Sequence, residues 1–211
     1  SAFAESMPLQ TNKGLAEFLD TCEQAKVCNG SYLAARDGEV IIHKAVGVNQ
    51  DGTPLTTEHK FDIGSITKQF TAAAVMKLRD EGKLEFDDAI TKFIPELEYD
   101  DITVRHLLTH TSGIPESLGY FSQLYRSNAV TMPINHRSVL SALLTQDLER
   151  QFPVGSKFAY NNTGYAVLAV LVERVSGMDF NQYLQTTFFA PLGMTQTHAY
   201  SAATSPEFNQ D

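Results

Sequence analysis

From Ser65 to Pro191 the sequence passes from one helical pattern to the next with no convincing strand between them. That property confines the β content to what comes earlier. Two short runs are available there, 31–36 and 39–46. Between them lies Asp37-Gly38, a dipeptide suited to a two-residue type I′ turn, which needs positive φ at both positions. Ahead of them, Leu15, Phe18, Leu19 and Cys22 fall at i, i+3, i+4 and i+7, which predicts an amphipathic helix over 13–26. The expected order is helix, hairpin, then a long helical block. Asp51-Gly52-Thr53-Pro54 reads as a further turn.

Within the block, a helix starts at Ser65, carries Phe70, Ala74 and Leu78 on one stripe and stops at Gly82. Thr103–His110 reads as a short helix closed by Thr111-Ser112-Gly113, and 137–148 as an amphipathic one. The stretch 164–175 is apolar nearly all round and is expected to be a buried helix ending at Gly177. Asp179 with Gln182 has capping-box spacing before Phe180, Tyr183, Leu184 and Phe188, and Pro191 follows the end of that helix. The last residues, 201–211, are small and polar and are expected to be poorly anchored.

The chain has 211 residues, 43% of them hydrophobic, enough for a real core. A net charge of −9 argues against nucleic acid and anionic membrane surfaces as partners. No apolar run is long enough to span a bilayer. Ala2-Phe3-Ala4 has the small-x-small form of an export cleavage site, so an exported, periplasmic or secreted protein is expected. Cys22 and Cys28 are too far apart on one straight helix to bridge; if the helix ends near Ala25, a turn through Asn29-Gly30 can bring them together. Disulfide and free thiols both stay open, and a bridge would support export. His106 and His110 stand at i and i+4 as in a zinc-protease helix, but Leu107 occupies the position of its glutamate. No metal site is expected.

Two short motifs carry chemistry. Gly64-Ser65-Ile66-Thr67-Lys68 sets a serine and a lysine about one helical turn apart, on one face. A serine hydroxyl needs a neighbour to take its proton, and a lysine can do so when burial or positive charge lowers its pKa. A helix start adds backbone N–H groups and a positive dipole end for an oxyanion. The bland alternative is an exposed helix turn. Tyr160-Asn161-Asn162 is read as a loop just before the buried helix. A phenol near a lysine can shuttle a proton, and an amide can hold both the lysine and a substrate carbonyl. There the alternative is a capping Asn and a core Tyr.

Together the motifs resemble the serine β-lactamase and penicillin-recognising hydrolase superfamily, closest to its class C-like branch of β-lactamases, D-Ala-D-Ala carboxypeptidases, esterases and D-amino-acid amidases. The likeness covers about 14–200. It includes Phe61-x-Ile63-Gly64-Ser65-Ile66-Thr67-Lys68, Leu84-x-x-Asp87-Asp88 and Phe93-Ile94-Pro95. Ile102-Thr103-Val104-Arg105-His106-Leu107-Leu108-Thr109-His110-Thr111-Ser112-Gly113-Ile114, Tyr160-Asn161-Asn162 and Pro191-Leu192-Gly193-Met194 complete it.

The resemblance implies an α+β, β-lactamase/transpeptidase-like fold. Residues 1–60 would be part of the α/β domain, 61–200 the serine–lysine helix and all-helical domain, and 201–211 a tail. It implies Ser65 as acylated nucleophile, Lys68 as its base or proton relay, Tyr160 as activator of water or proton donor to the leaving group, and Asn162 as the group orienting Lys68 and the substrate amide. The expected partner is a small-molecule or peptide substrate, with no cofactor. The family's third motif, a Lys/His-Thr-Gly or His-x-Gly strand, is absent from these residues. A fragment, or a site completed by another chain, is therefore expected, with weak turnover. A non-catalytic sensor of D-amino-acid peptides or β-lactams is the alternative.

Overall fold

The computed structural model describes residues 10–127 and 134–199. Ala2–Ala4 and the tail 201–211, singled out above, lie outside the described residues. The architecture is α+β, with helices and one hairpin. Two compact units divide between Asp62 and Ile63.

The first unit holds α1 (Gln10–Gln24), β1 (Gly30–Arg36) and β2 (Glu39–Val46). The strands are antiparallel, running from Gly30 opposite Val46 to Arg36 opposite Glu39, with an irregularity between Ala34 and Ala35. Asp37 and Gly38 take φ of 52° and 83°, the double positive φ of the expected turn. Leu19 and Val46 supply the buried apolar positions of this unit. α1 starts earlier than expected, and the chain leaves it through Lys26 at φ 56°. That exit lets Cys22 and Cys28 approach to a Cα–Cα distance of 5.3 Å, and they form a disulfide. Lys44 pairs with Asp20, Glu23 accepts the Gly47 N–H at 2.9 Å, and Asn29 Oδ1 accepts the Val48 N–H at 2.8 Å.

The second unit is built on α6 (Asn162–Ser176), whose Val167, Leu168, Leu171 and Val172 are fully buried. Around it pack α2 (Thr67–Asp80), α3 (Val104–Leu108), α5 (His136–Thr145) and α7 (Phe180–Leu184). Ala74, Val75 and Leu78 of α2, Leu107 of α3 and Leu184 of α7 join that core. Phe70 meets Phe189 edge to face at 5.4 Å. Thr103 caps α3 in a box with His106, which engages that histidine through its Nδ1, 3.1 Å from the Thr103 N–H. Among the described residues after Ser65, β structure is limited to an isolated bridge between Ala89 and Thr103.

The structure corrects the sequence reading in three places. Ser65 lies in a short 3₁₀ turn, Gly64–Ile66, and α2 proper begins at Thr67. Asn162 is the first residue of α6 rather than a loop residue, with Asn161 as its cap. An additional helix, α4 (Leu118–Arg126), follows Glu116, where the sequence offers Gly119 near the helix start and few turn signals. Past α7 the chain widens into a π turn, Gln185–Phe189, before Pro191.

Candidate active site

Each polar residue of the site is held by a specific local device. The 3₁₀ turn presents Ser65 at the head of α2, with Gly64 at φ 51° supplying the bend. Lys68 follows one turn on, and its Nζ lies 3.4 Å from Ser65 Oγ. At the start of α6 the Asn161 side chain accepts the Gly164 N–H at 2.7 Å. Its amide also donates to the Ile114 carbonyl at 2.9 Å. This buried cap fixes the residues on either side of it. Asn162 Oδ1 then accepts from Lys68 Nζ at 2.8 Å. The Tyr160 hydroxyl lies 2.5 Å from Ser65 Oγ.

Ser65, Lys68, Tyr160 and Asn162 therefore converge although 95 residues separate Ser65 from Tyr160 in sequence. Lys68 Nζ also sits 4.7 Å from the Tyr160 ring centroid and 5.5 Å from that of Tyr165. Cation–π attraction adds to the Asn162 bond in holding it there. Hydrogen bonding to Lys68, then to Ser65, pulls the Tyr160 phenol below its usual range. Burial pushes the Tyr165 phenol up. Ser65 is exposed, and its Oγ accepts from the Tyr160 hydroxyl at 2.5 Å and from Lys68 Nζ at 3.4 Å, so a phenol able to exchange a proton with it stands at bonding distance. Ile63, Ile66 and Phe158, each within two positions of Ser65 or Tyr160, are exposed.

Two further residues belong to the site. Glu116 accepts the Asn162 N–H at 2.7 Å on one oxygen and the Leu118 N–H at 3.1 Å on the other. It thus places a negative charge at the positive end of α6. His110 accepts the Asn161 N–H on Nδ1 at 3.1 Å. Its ring packs against those of Tyr160 and Tyr165, with centroids 4.7 and 5.0 Å away. Burial and then the charge of Lys68 press its pKa down. Glu116 carries no signal in the sequence, and His110 enters there only beside His106 as a rejected zinc-type pair and within the family-like stretch. Among the described residues, no group of three or more His, Cys, Asp or Glu is placed to hold a metal ion.

The Beta-lactamase family model matches residues 16–207. The chain belongs to the Beta-lactamase family. A penicillin-binding protein of Bacillus subtilis (strain 168) is 32% identical over 203 residues, 95% of this chain and 44% of the relative. The octameric penicillin-binding protein homologue from Pyrococcus abyssi superposes with a TM-score of 0.74 at 31% identity, over 97% of this chain and 46% of that one. EstCE1, described as a hydrolase with promiscuous acyltransferase activity, superposes at 0.70 with 25% identity, over 87% of this chain and 52% of that one. The fold is accordingly β-lactamase/transpeptidase-like, in a hydrolase family related to penicillin-binding proteins and esterases. The chain spans less than half the length of the curated relatives it matches.

Proposed function

We propose that the protein is a serine hydrolase of the class C-like branch, working through a serine-bound acyl-enzyme on an amide, β-lactam or ester. The observation that carries this reading is one hydroxyl, Ser65 Oγ, 2.5 Å from a phenol and 3.4 Å from an ammonium that Asn162 anchors at 2.8 Å. In acylation Ser65 Oγ attacks the carbonyl carbon. Tyr160, whose phenolate the Lys68 charge favours, takes the serine proton and delivers it to the departing nitrogen or oxygen. In deacylation it takes a proton from the attacking water, and the acid leaves as Ser65 regains its hydrogen. Lys68 is the relay and the charge that makes Tyr160 a usable acceptor. Asn162 orients Lys68, and its amide N–H is available to the substrate carbonyl.

The substrate class is a small ester, a β-lactam or a D-amino-acid peptide, a reading supported by relatives named as penicillin-binding proteins and by the esterase-like hydrolase. Turnover by these 211 residues is expected to be weak. The family's third motif is not among them, and loss of one oxyanion donor alone costs about 10²–10³ in kcat. A segment supplied by another chain would then raise it. The Cys22–Cys28 bridge supports an exported protein, since such bridges persist in oxidising compartments.

Labelling with a fluorescent penicillin, followed by a chase, tests the proposal. The expected result is a covalent adduct on Ser65 that the S65A variant lacks, with slow release. Equal labelling of S65A would overturn it. An adduct that never releases would favour a binding sensor over a hydrolase.

A further inference from the structure

We infer that His110 is the positioning residue of the site, a clamp that sets Tyr160 against Ser65. Three separate contacts carry this. The His110 carbonyl accepts the N–H of Ala159 at 2.9 Å. Its Nδ1 accepts the N–H of Asn161 at 3.1 Å. Its ring lies against the Tyr160 ring, with centroids 4.7 Å apart and planes 34° from parallel. One residue thus holds the backbone on both sides of Tyr160 and the flat of its ring. The imidazole also packs against Tyr165, with ring centroids 5.0 Å apart, and the Tyr165 hydroxyl donates to the Leu108 carbonyl at 3.0 Å. Phe158 closes the ring edge at 5.7 Å.

The backbone of His110 is itself unusual. It takes φ of 57°, a left-handed conformation that few side chains other than Asn, Asp and His adopt readily. Such conformations persist where the surroundings over-determine them, and they concentrate at functional sites. Here the conformation accompanies a carbonyl and a ring nitrogen that both face 159–161. With Nδ1 accepting, the imidazole is neutral and carries its proton on Nε2. A neutral ring adds no second cation beside Lys68. His110 bonds to neither Ser65 nor Lys68 in this arrangement; it acts through Tyr160.

This assignment rests on the serine-hydrolase reading for its kinetic consequence, but its geometric content can be tested apart from activity. Three variants divide the clamp. H110N keeps an acceptor for the Asn161 N–H and tolerates the left-handed backbone, but lacks the ring. H110F keeps a ring and lacks the acceptor. H110A lacks both. The direct readout is the titration of the Tyr160 phenol, followed by NMR of ¹³Cζ-labelled tyrosine and assigned with Tyr160→Phe. In the parent protein Tyr160 is expected to titrate below the ordinary tyrosine value of about 10. Misplacing the phenol from Lys68 and Ser65 moves it back up, furthest in H110A and part-way in H110N and H110F. Thermal melting identifies folded variants, and H110N and H110F decide the matter if H110A does not fold. If both fold and leave the Tyr160 titration unchanged, the clamp assignment is wrong. Penicillin labelling is the second readout, with H110A expected to slow by about 10²-fold, the size of effect that a displacement near 1 Å produces. If the parent protein takes no label, the hydrolase reading fails while the tyrosine titration still decides the clamp.

Discussion

The Lys68 ammonium touches every polar group the proposed chemistry uses, and its influence can be measured on a neighbour. The phenol of Tyr160 is depressed first by its hydrogen bond to Lys68 and then by that to Ser65. A cation favours the charged phenolate, so removing it must raise the pKa. Lys68→Met is therefore expected to move the Tyr160 titration up towards about 10. The same sign governs the rate. Ser65 acylation should climb with pH as Tyr160 ionises and level off above its pKa. In K68M what rate survives should climb at higher pH. ¹³C NMR of labelled tyrosine checks the first statement, and penicillin labelling across pH checks the second. An unmoved Tyr160 titration in K68M would mean that the ammonium does not govern the phenol. Asn162 belongs to the same scale. Its Oδ1 is an acceptor for Lys68 at 2.8 Å, and Asn162→Ala should slow labelling while leaving the helix cap on Asn161 in place.

At the scale of elements, the site depends on how the start of α6 is tied to the segment after α3. The backbone of 151–159 joins that segment through three bonds: Gln151 N–H to Gly113 O, Gly155 N–H to Thr111 O and Ala159 N–H to His110 O, at 2.9, 2.8 and 2.9 Å. Gly113 takes φ of 66°, and a Cβ placed there would meet the Phe152 carbonyl oxygen at 2.0 Å. Gly113→Ala therefore forces both a strained backbone and a shift of the facing strand of chain. The strain alone costs about 1–3 kcal/mol, so denaturant unfolding should show at least that loss. Glu116 provides the second tie. Removing its carboxylate in Glu116→Ala leaves the N–H groups of Asn162 and Leu118 without their acceptor. Each abandoned donor that stays out of water costs about 1–3 kcal/mol, and the negative charge at the α6 N-terminus is lost as well. Glu116→Gln keeps the volume and one acceptor oxygen and should lose less. Equal stability of E116A and the parent would show that water replaces the carboxylate there.

Across the whole molecule, what the sequence made legible was set by how local each cause is. The hairpin follows from two adjacent residues, Asp37 and Gly38, and α6 from a stretch apolar nearly all round that ends at Gly177. Ser65 and Lys68 meet because three residues make about one turn. The meeting of Lys68 with Asn162, 94 residues on, has no local cause and was reached only through resemblance. The roles of Glu116 and His110 are illegible for a related reason: accepting a distant backbone N–H leaves no period or spacing in the sequence. The cysteines were undecidable for a third, since bridging depended on where α1 ends. That bridge now bears on the first unit as a whole. A lone two-stranded hairpin is marginal in water, and this unit's described buried apolar residues are few. The link from Cys22 in α1 to Cys28 just ahead of β1 therefore supplies a large share of its order. Closing a short loop is worth about 2 kcal/mol. Reduction, or the C22S/C28S double variant, is expected to speed amide exchange throughout Gly30–Arg36 and Glu39–Val46, whose hydrogen bonds then open more often. Exchange followed by mass spectrometry with and without reductant measures this. Unchanged protection of both strands in the reduced protein would mean that packing of Leu19 and Val46, with the Lys44–Asp20 pair, holds the unit without the bridge.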